Sequence, residues 1–374
     1  MAYQVGLALG VVVASALFYV GFRAPSLRKV ILNTLAFLKG VPVVWVDSPA
    51  LAAKVFKAST NKGVFIEHEF SEPAWLPAIS IESIDDPRWS RMKANLVVLM
   101  KQLPSSQDLQ QITSTVTTNY VASHDVLCAR GVVHISIASL FEWIFARPLP
   151  KDDADWIVDA TNAWRMEIAL KGKGDMALKN RFVDWTIAHI EATPLIYDLF
   201  GENWRDPEYF SLILQPFFLS PSINISDIAV TVGLLVRRGE AETAPTDLIH
   251  KAIDMAHPFI IIERYLEHGL VVDDAVVIAP GTHVFVPIDN MTSDSAMRFG
   301  AGIRKCPGQF QGMALMLGLF QREVITSPKF QPALHHKYSG RDQDGLETLP
   351  ELLYQGAVIW RVLLRAVRQR LGFE

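Results

Sequence analysis

A cysteine surrounded by glycines and cations is the strongest chemical signal in this sequence. Cys306 lies in the stretch FGAGIRKCPG, residues 299–308, which also holds three glycines and two cations. Glycines let a backbone curl around one point, and neighbouring cations stabilise a thiolate. A helix that begins after Pro307 would also direct the positive end of its dipole at the sulfur. The stretch therefore predicts a sulfur ligand held open for a metal, with a buried structural cysteine in a turn as the alternative.

The composition argues against several other kinds of chemistry. The chain has 374 residues, of which 50% are apolar and 20% charged, and its formal net charge is −4. This acidic balance gives no electrostatic reason to expect a nucleic-acid partner. Two cysteines, Cys128 and Cys306, are too few for a disulfide framework. We expect both as reduced thiols in a protein that faces the cytosol.

The first 22 residues predict a membrane anchor. Residues 2–22, AYQVGLALGVVVASALFYVGF, contain no charged side chain, and Arg23, Arg28 and Lys29 follow. The run is long enough to span a bilayer, and the cations after it place the remainder of the chain in the cytosol. We expect an uncleaved single-pass signal-anchor over residues 1–22, in the endoplasmic reticulum, followed by one domain over 23–374. A buried core helix is the alternative.

Hydrophobic periodicity and turn residues predict a mostly helical chain with a minor sheet. Residues 88–103 have helical spacing, and Thr246 is a candidate N-cap for a helix that Pro258 ends. Residues 269–288 are typical of two short strands around Pro280-Gly281. The other predicted elements are a strand in 41–49 and helices over 50–59, 308–325 and 358–371.

The cysteine stretch resembles the haem-ligand loop of the cytochrome P450 family at five positions. The pattern Phe299-x-x-Gly302-x-Arg304-x-Cys306-x-Gly308 is similar to the family's loop position for position. The resemblance implies a bound haem with Cys306 as its axial thiolate ligand, whose electron donation favours cleavage of an O–O bond. It also implies that Arg304 pairs with a haem propionate.

The resemblance continues outside the loop and covers nearly the whole chain, with segments similar to fungal members of the family. DPRWSRMK resembles the C-helix, which maps Trp89 and Lys93 to a second propionate contact. Plain surface snorkelling is the alternative for such a pair. AHPFIIIERYL resembles the segment after the K-helix, which maps Arg264 to the propionates. One loop position departs, since Gly312 stands where alanine is usual. The resemblance assigns haem binding to Lys93, Arg264, Arg304, Phe299, Gly302 and Gly308, and metal ligation to Cys306.

Three regions depart from the family pattern. In place of the K-helix Glu-x-x-Arg pair the chain has Lys251 and Asp254, an i,i+3 pair of reversed charge that can still form. In the family, the Glu-x-x-Arg pair and a third partner in the meander together lock the core of the haem-binding side. Only eleven residues, 288–298, precede the loop, too few for a meander. Both parts of this lock are therefore expected to be missing. No I-helix acid–alcohol motif surrounds Asp227 and Thr231, and a solvated helix end explains Asp227 better than proton delivery. The implied fold is therefore P450-like but reduced, with a shortened I/J-helix region and meander.

The resemblance implies an oxidoreductase, a membrane-anchored haem-thiolate monooxygenase of fungal secondary metabolism. Its substrate would be a hydrophobic small molecule such as a terpenoid or a polyketide. Electrons would come from a separate NADPH-dependent reductase, since the chain has no flavin or nicotinamide fingerprint. No catalytic side chain is identified by the sequence.

Two alternatives remain open at this point. The missing oxygen-activation motif and lock favour a redox-silent cyclase or isomerase, such as a pericyclic cyclase, in which an apolar pocket lowers the barrier by orienting its substrate. The retained cysteine loop and its three cations disfavour it, because a haem-free pocket gains nothing obvious from them. An inactive truncated relic is the second alternative.

Overall fold

Helices form most of the described chain, and five short strands form two small sheets. The structure is a computed structural model that describes residues 25–63, 65–70, 72–170, 172–255, 260–272, 275–288, 291, 297–334 and 349–372. The predicted anchor at residues 1–22 lies outside the described residues. The helices are α1 Pro25–Lys39, α2 Pro49–Ala58, α3 Phe65–Phe70, α4 Glu72–Trp75, α5 Arg88–Met100, α6 Ser106–Ser123, α7 Ala129–Phe145, α8 Lys151–Ile168, α9 Met176–Glu191, α10 Pro194–Phe200, α11 Pro207–Ile213, α12 Ser220–Leu235, α13 Pro245–Met255, α14 Gln309–Leu319, α15 Arg322–Ile325 and α16 Leu349–Arg370. The strands are β1 Val43–Trp45, β2 Ile262–Leu266, β3 Leu270–Val272, β4 Ala275–Ile278 and β5 Thr282–Val286.

Four helices, α6, α7, α12 and α14, pack together around the largest hydrophobic core. A capping box formed by Ser105 and Asp108 fixes where α6 begins. α7 is apolar on nearly every side because neighbouring helices cover it all round. Gly318 of α14 lies against Thr113 of α6, where an added Cβ would come within 2.6 Å of the threonine Cβ. The small residue therefore permits the close contact between these two helices.

The segment that holds Asp227 and Thr231 belongs to a long, largely buried helix. α11, the π-helical segment Leu214–Leu219, α12 and the π-helical segment Val236–Glu240 continue as one helix of 34 residues, Pro207–Glu240. Of the described helices it is the one long and apolar enough to cross a membrane, but 61% of its most apolar window is buried in the protein, as in a core helix. Only residues 241–244 separate it from α13. The predicted shortening therefore holds for the connection after the helix, whereas the helix itself is long.

The larger sheet has the strand order β1–β5–β2. β1 pairs parallel with β5, and β5 pairs antiparallel with β2, so that Arg264 lies opposite Val284. β3 and β4 form a separate hairpin. The prediction of two strands within residues 269–288 is wrong, since this stretch holds three. The turn at Pro280-Gly281 separates β4 from β5, which belong to different sheets.

The other predicted elements are confirmed with shifted ends. β1 and α5 lie within the stretches predicted for them, α2 begins one residue before its predicted start at residue 50, and α16 begins nine residues before its predicted start at residue 358. The single helix predicted over 308–325 is two helices, α14 and α15. The N-cap prediction for Thr246 is wrong, because α13 already begins at Pro245. A proline suits the first turn of a helix, where its missing N–H has no intrahelical partner.

β2 directs two adjacent charged residues to opposite faces of the sheet, because successive side chains of a strand alternate. The Glu263 carboxylate is 1% exposed, accepts N–H bonds from Phe65 at 3.1 Å and Ile66 at 2.8 Å, and lies 2.5 Å from His283 Nδ1. It thus caps the N-terminus of α3. Burial is the largest influence on the pKa of Glu263 and raises it, while the bond with His283 lowers it. With Glu263 held on this face, Arg264 is turned toward the other.

A bidentate ion pair joins α13 to the start of the cysteine loop. Arg298 donates from Nε to Asp254 Oδ1 at 2.6 Å and from Nη2 to Asp254 Oδ2 at 2.7 Å. The Asp254 hydrogen bonds raise the pKa of Arg298. Lys251 pairs with Glu240 at 2.6 Å, so the i,i+3 pair between Lys251 and Asp254 is not formed. A link between this helix and the cysteine loop is therefore present, with the carboxylate on the helix and the arginine next to Phe299.

The cysteine loop closes on itself and lies against the end of α2. The Cys306 N–H donates to the Phe299 carbonyl at 2.9 Å. Gly302 has a φ of +70°, and a Cβ there would overlap the backbone carbonyl oxygen of Phe56. Gly300 has a φ of +69°, but the nearest atom to a Cβ there would be 4.0 Å away. Backbone conformation favours glycine at both positions, and contact with α2 requires it at Gly302.

Replacing these two glycines separates the effect of contact from that of backbone conformation. We expect Gly302→Ala to lower the free energy of unfolding by about 3 kcal/mol, because a left-handed backbone costs about 1–2 kcal/mol and the overlap with Phe56 costs about 1–3 kcal/mol. Gly300→Ala is the matched control and should cost about 1 kcal/mol. Denaturant unfolding of both variants measures the difference, and equal losses would contradict the close contact.

A double-mutant cycle on Asp254→Ala and Arg298→Ala tests the link between α13 and the loop. The two side chains are 23% and 17% exposed, and a bidentate, partly buried pair should give a coupling energy of about 1–2 kcal/mol. The control is the pair Arg322–Glu242 at 2.7 Å, whose side chains are 49% and 83% exposed. Solvent should reduce its coupling to about 0.5 kcal/mol or less. Equal coupling for the two pairs would show that the Asp254 link contributes no more than a surface contact.

Candidate functional site

The Cys306 thiol is accessible to solvent but lies among dense surrounding protein. Its side chain is exposed, and yet burial is the main cause that raises the pKa of the thiol. Both observations fit a side chain that lines a recess, where water reaches the sulfur while the protein limits its hydration. The Gly308 N–H bonds the sulfur and lowers its pKa, as do the charges of Lys93 and Lys305. The cations and helix start act as the sequence predicts, but burial outweighs them, so that the protein alone favours the protonated thiol.

Arg304 is 6% exposed, and only some of its guanidinium nitrogens have hydrogen-bond partners. Its Nη2 donates to the Ile84 carbonyl at 2.7 Å and to Asp85 Oδ1 at 3.0 Å, and its Nε donates to the Thr60 carbonyl. The guanidinium lies 4.5 Å from the centre of the Trp89 ring, which explains why an aromatic residue precedes Lys93 by one turn. The Nη1 atom is buried and has no hydrogen-bond partner. One donor of this arginine therefore remains available for an acceptor.

Arg264 is a buried cation that forms few polar contacts with the described residues. It is 2% exposed and stacks over the Phe56 ring at 4.9 Å. Its Nη1 donates to the Glu263 carbonyl at 2.7 Å, while its buried Nε has no hydrogen-bond partner. Among the described residues no carboxylate forms an ion pair with it. Burial is the main cause that lowers the pKa of Arg264 to about 10, while the charge of Glu82 raises this pKa and that of Arg304 lowers it.

Lys93 brings a third cation to the same place. The side chain is half-buried, and burial is the main cause that lowers its pKa. The charges of Glu82 and Cys306 raise this pKa, and that of Arg304 lowers it. Lys93, Arg304, Arg264 and Cys306 therefore lie near enough to act on one another. The structure brings together the three cations and the thiol that the sequence analysis assigned to one site.

Glu82 is a charged residue of this site that sequence reasoning missed. Its charge raises the pKa of Lys93, Arg264, Arg304 and Cys306. It lies in the 3₁₀ turn Ile81–Ser83, inside a stretch that the sequence shows as a loop broken by prolines. No motif marks it there, so the sequence held no signal that could have found it. Glu82 and Asp85, which pairs with Arg304 at 3.0 Å, are two carboxylates that act on the cations of this site.

Phe299 and the two later glycines complete the loop. Phe299 packs partly buried against the main core, which anchors the start of the turn. An added Cβ at Gly308 or Gly312 would meet nothing within 4 Å, and both have intermediate exposure. The protein's own packing therefore gives no reason for glycine at either position. A flat group that lies over the start of α14 would supply one.

The acid and hydroxyl of the long helix take a structural arrangement. Asp227 Oδ1 accepts a 2.7 Å bond from Nη2 of the buried Arg165, and Thr231 donates to the Asp227 carbonyl at 3.4 Å. Asp227 lies inside α12, so the expectation of a solvated helix end is wrong. The expectation against proton delivery remains, because the carboxylate is engaged by an arginine from α8.

Comparisons with known proteins give a match in structure alone. No protein-family model matches the sequence, and no match is found among curated proteins. The fold is similar to CYP175A1 from Thermus thermophilus, with 16% identity over 82% of this chain and 91% of that one and a TM-score of 0.58. It is also similar to a variant of cytochrome P450 OleT in complex with arachidonic acid, with 13% identity over 75% and 80% of the chains and a TM-score of 0.56.

A third similar structure is the cytochrome P450 enzyme CxnD for C–S bond formation in chuangxinmycin biosynthesis, with 13% identity over 75% of this chain and 79% of that one and a TM-score of 0.55. Identities this low establish the fold and leave the reaction open. They agree with the mostly helical architecture and small sheets described above. The chain has the cytochrome P450 fold.

Proposed function

We propose that this chain is a haem-thiolate monooxygenase of the P450 type. It would act on a hydrophobic small molecule, such as a terpenoid or a polyketide, in fungal secondary metabolism. The observation that carries the proposal is the buried, unpaired Arg264 beside the unsatisfied Nη1 of Arg304 and the accessible thiol of Cys306. A buried arginine that forms no ion pair among the described residues, near an accessible thiol, suits an anionic metal cofactor.

The described residues fit a haem on three counts. Its two propionates would give Arg264 a counter-charge and would accept hydrogen bonds from the unused Nη1 of Arg304 and from Lys93. Its iron would take the sulfur of Cys306, which is a suitable soft ligand. Its flat ring would occupy the open space beside Gly308 and Gly312. Glu82 would repel the propionates, but the three cations outnumber it.

Haem, when bound, supplies the activation of dioxygen. The chain's own residues hold and tune it. Cys306 would give up its proton on ligation, since metal coordination lowers a thiol pKa far more than burial raises it. The Gly308 N–H would keep its bond to the sulfur and withdraw some of its negative charge. Arg264, already desolvated, would lose little hydration on meeting a carboxylate.

Electrons and membrane attachment would come from outside the described domain. The sequence has no flavin or nicotinamide fingerprint, so a separate NADPH-dependent reductase is the proposed electron donor. The uncharged run at 2–22 would anchor the protein in the endoplasmic reticulum membrane, with the domain at 23–374 in the cytosol. A hydrophobic substrate that partitions into the bilayer would then be close to the site.

A redox-silent cyclase or isomerase is the second candidate, and one observation favours it. Asp227 is bound by Arg165 and so is not available as a proton relay, which a pericyclic reaction would not need. Orientation in an apolar pocket could supply much of its rate enhancement. This candidate leaves the unpaired Arg264 without a purpose.

Ligation by Cys306 is tested with a spectrum. The full-length protein, expressed with added haem precursor, should give the reduced carbon-monoxide Soret band of a thiolate-ligated haem. Cys306→Ala should lose that band, because the ligating sulfur is removed. Cys128→Ala is the matched control, since Cys128 is the other free thiol and is buried at the start of α7; it should keep the band. A colourless wild-type protein that still forms product would favour the cyclase.

Arg264→Met tests the role of the unpaired charge, because the two forms of the protein should respond in opposite directions. In the apoprotein, removing a buried unpaired cation should raise the free energy of unfolding by about 1 kcal/mol or more. In the holoprotein, loss of a propionate partner worth about 1.5–3 kcal/mol should speed haem transfer to apomyoglobin by about tenfold or more.

The control for this experiment is Arg165→Met. Arg165 is also buried but is paired with Asp227 at 2.7 Å, and its partner would be left unpaired. We expect apoprotein stability to fall by about 3 kcal/mol with the haem transfer rate unchanged. If Arg264→Met instead destabilises the apoprotein and leaves haem transfer unchanged, Arg264 is a structural residue and the proposed propionate contact is wrong.

A further inference from the structure

The last described helix, α16, packs beside α1 through an apolar inner face. Both helices contribute to one small core cluster, which also includes Phe285 of β5. The α1 residues in it are Ile31, Leu32, Leu35 and Ala36, and the α16 residues are Ile359, Val362, Leu363 and Ala366. This inner face accounts for the attachment of α16 to the domain.

A second apolar stripe lies on the outer side of the same two helices. At about 100° per residue, Trp360 and Leu364 of α16, and Leu371 directly after it, fall within one narrow sector that faces away from the inner face. They are 41%, 41% and 66% exposed, and Val30 and Phe37 of α1 are 59% and 73% exposed. Because both inner faces contact one cluster, both outer stripes point away from it. Arg370 lies 5.9 Å from the Phe37 ring and joins the stripes at one end.

Arginines flank this stripe, and no acid balances them from residue 352 to residue 372. Residues 352–372, LLYQGAVIWRVLLRAVRQRLG, contain four arginines and no aspartate or glutamate. Arg361, Arg365 and Arg368 are exposed and fall in the sector next to Leu364. An exposed apolar stripe beside a row of cations is the pattern of a helix that lies on an anionic membrane surface.

Chain connection gives the second argument for a membrane. α1 begins at Pro25, directly after the uncharged run 2–22. A helix of 15 residues is about 22 Å long, so a spanning segment at 2–22 would keep all of α1 within about that distance of the bilayer. α16 packs along α1 and would be held there with it.

We propose that the outer face of α16, with Val30 and Phe37 of α1, lies on the anionic headgroup surface of the membrane. Lipid suits this face better than a second copy of the chain, because a symmetric dimer would bring two rows of arginines together without acids in residues 352–372 to pair with them. The inference rests on the membrane attachment in the proposed function but not on haem. It would fix the orientation of the domain on the bilayer.

Photo-crosslinking in the full-length protein tests this contact. Benzoylphenylalanine replaces Leu364 or Leu371 in protein reconstituted into vesicles of phosphatidylcholine and phosphatidylserine. Leu195, which is 61% exposed on α10, is the matched control position. We expect lipid adducts at 364 and 371 to exceed those at 195 by about fivefold or more. Arg365→Glu should reduce the adduct at 364 by about fivefold, as should omission of phosphatidylserine, because each basic residue near an anionic surface strengthens binding by about that factor.

The outcomes distinguish this inference from the proposed attachment. If alkaline carbonate releases the wild-type protein from the vesicles, the membrane attachment fails and the inference fails with it. If the protein stays in the vesicles but position 364 gives no more lipid adduct than position 195, the inference alone is overturned. Adducts at 364 to a second copy of the chain would also overturn it, since they would make this face an interface between copies.

Discussion

The candidate site depends on one constraint, the buried charge of Arg264, which has no ion-pair partner among the described residues. Arg264 is 2% exposed and forms no ion pair among the described residues. Leaving an ion buried and unpaired costs several kcal/mol, so this arginine is unfavourable unless an anion reaches it. Arg304 adds an unsatisfied donor and Lys93 a half-buried ammonium, while Glu82 acts on all three from a distance. Although Asp85 pairs with Arg304, Arg264 has no ion-pair partner among the described residues and Arg304 keeps an unused donor, which leaves the site suited to an anionic ligand.

The cations are held in place by contacts that have no chemical role of their own. The alternation of β2 places Glu263 on one face, where it caps α3, and this leaves Arg264 to face the site. The cysteine loop is held at two places, by Gly302 against α2 and by Arg298 against Asp254 of α13. The Arg298–Asp254 pair places its charges differently from the lock of the P450 family, but it joins the same two parts of the chain. The position of Cys306 therefore follows from packing and charge that are already complete in the polypeptide.

Local signals in the sequence were enough to predict α2, α5 and α14 and to mark the cysteine loop, because helical periodicity, turn residues and the five-position motif all lie within short stretches. Contacts between distant residues were not predictable in the same way. Arg298 meets Asp254 across 44 positions, and nothing at either position marks the other as its partner. β5 was grouped with β4 because the two are adjacent, whereas its hydrogen bonds go to β1 and β2. Glu82 could not be found at all, since a lone glutamate in a loop has no distinguishing pattern.

The choice between redox and redox-silent chemistry depends on the two ends of the site, which give opposite indications. In the long helix, Arg165 binds the carboxylate of Asp227. Moving that carboxylate to carry protons would break the ion pair. The helix therefore argues against a proton relay of the usual kind. On the cysteine side, Arg264 destabilises any form of the protein that binds no anion. A relay can be replaced by water or by the substrate's own hydroxyl, whereas a buried unpaired guanidinium has no comparable substitute. The cysteine side therefore carries more weight, and it favours a bound haem over a pocket without one.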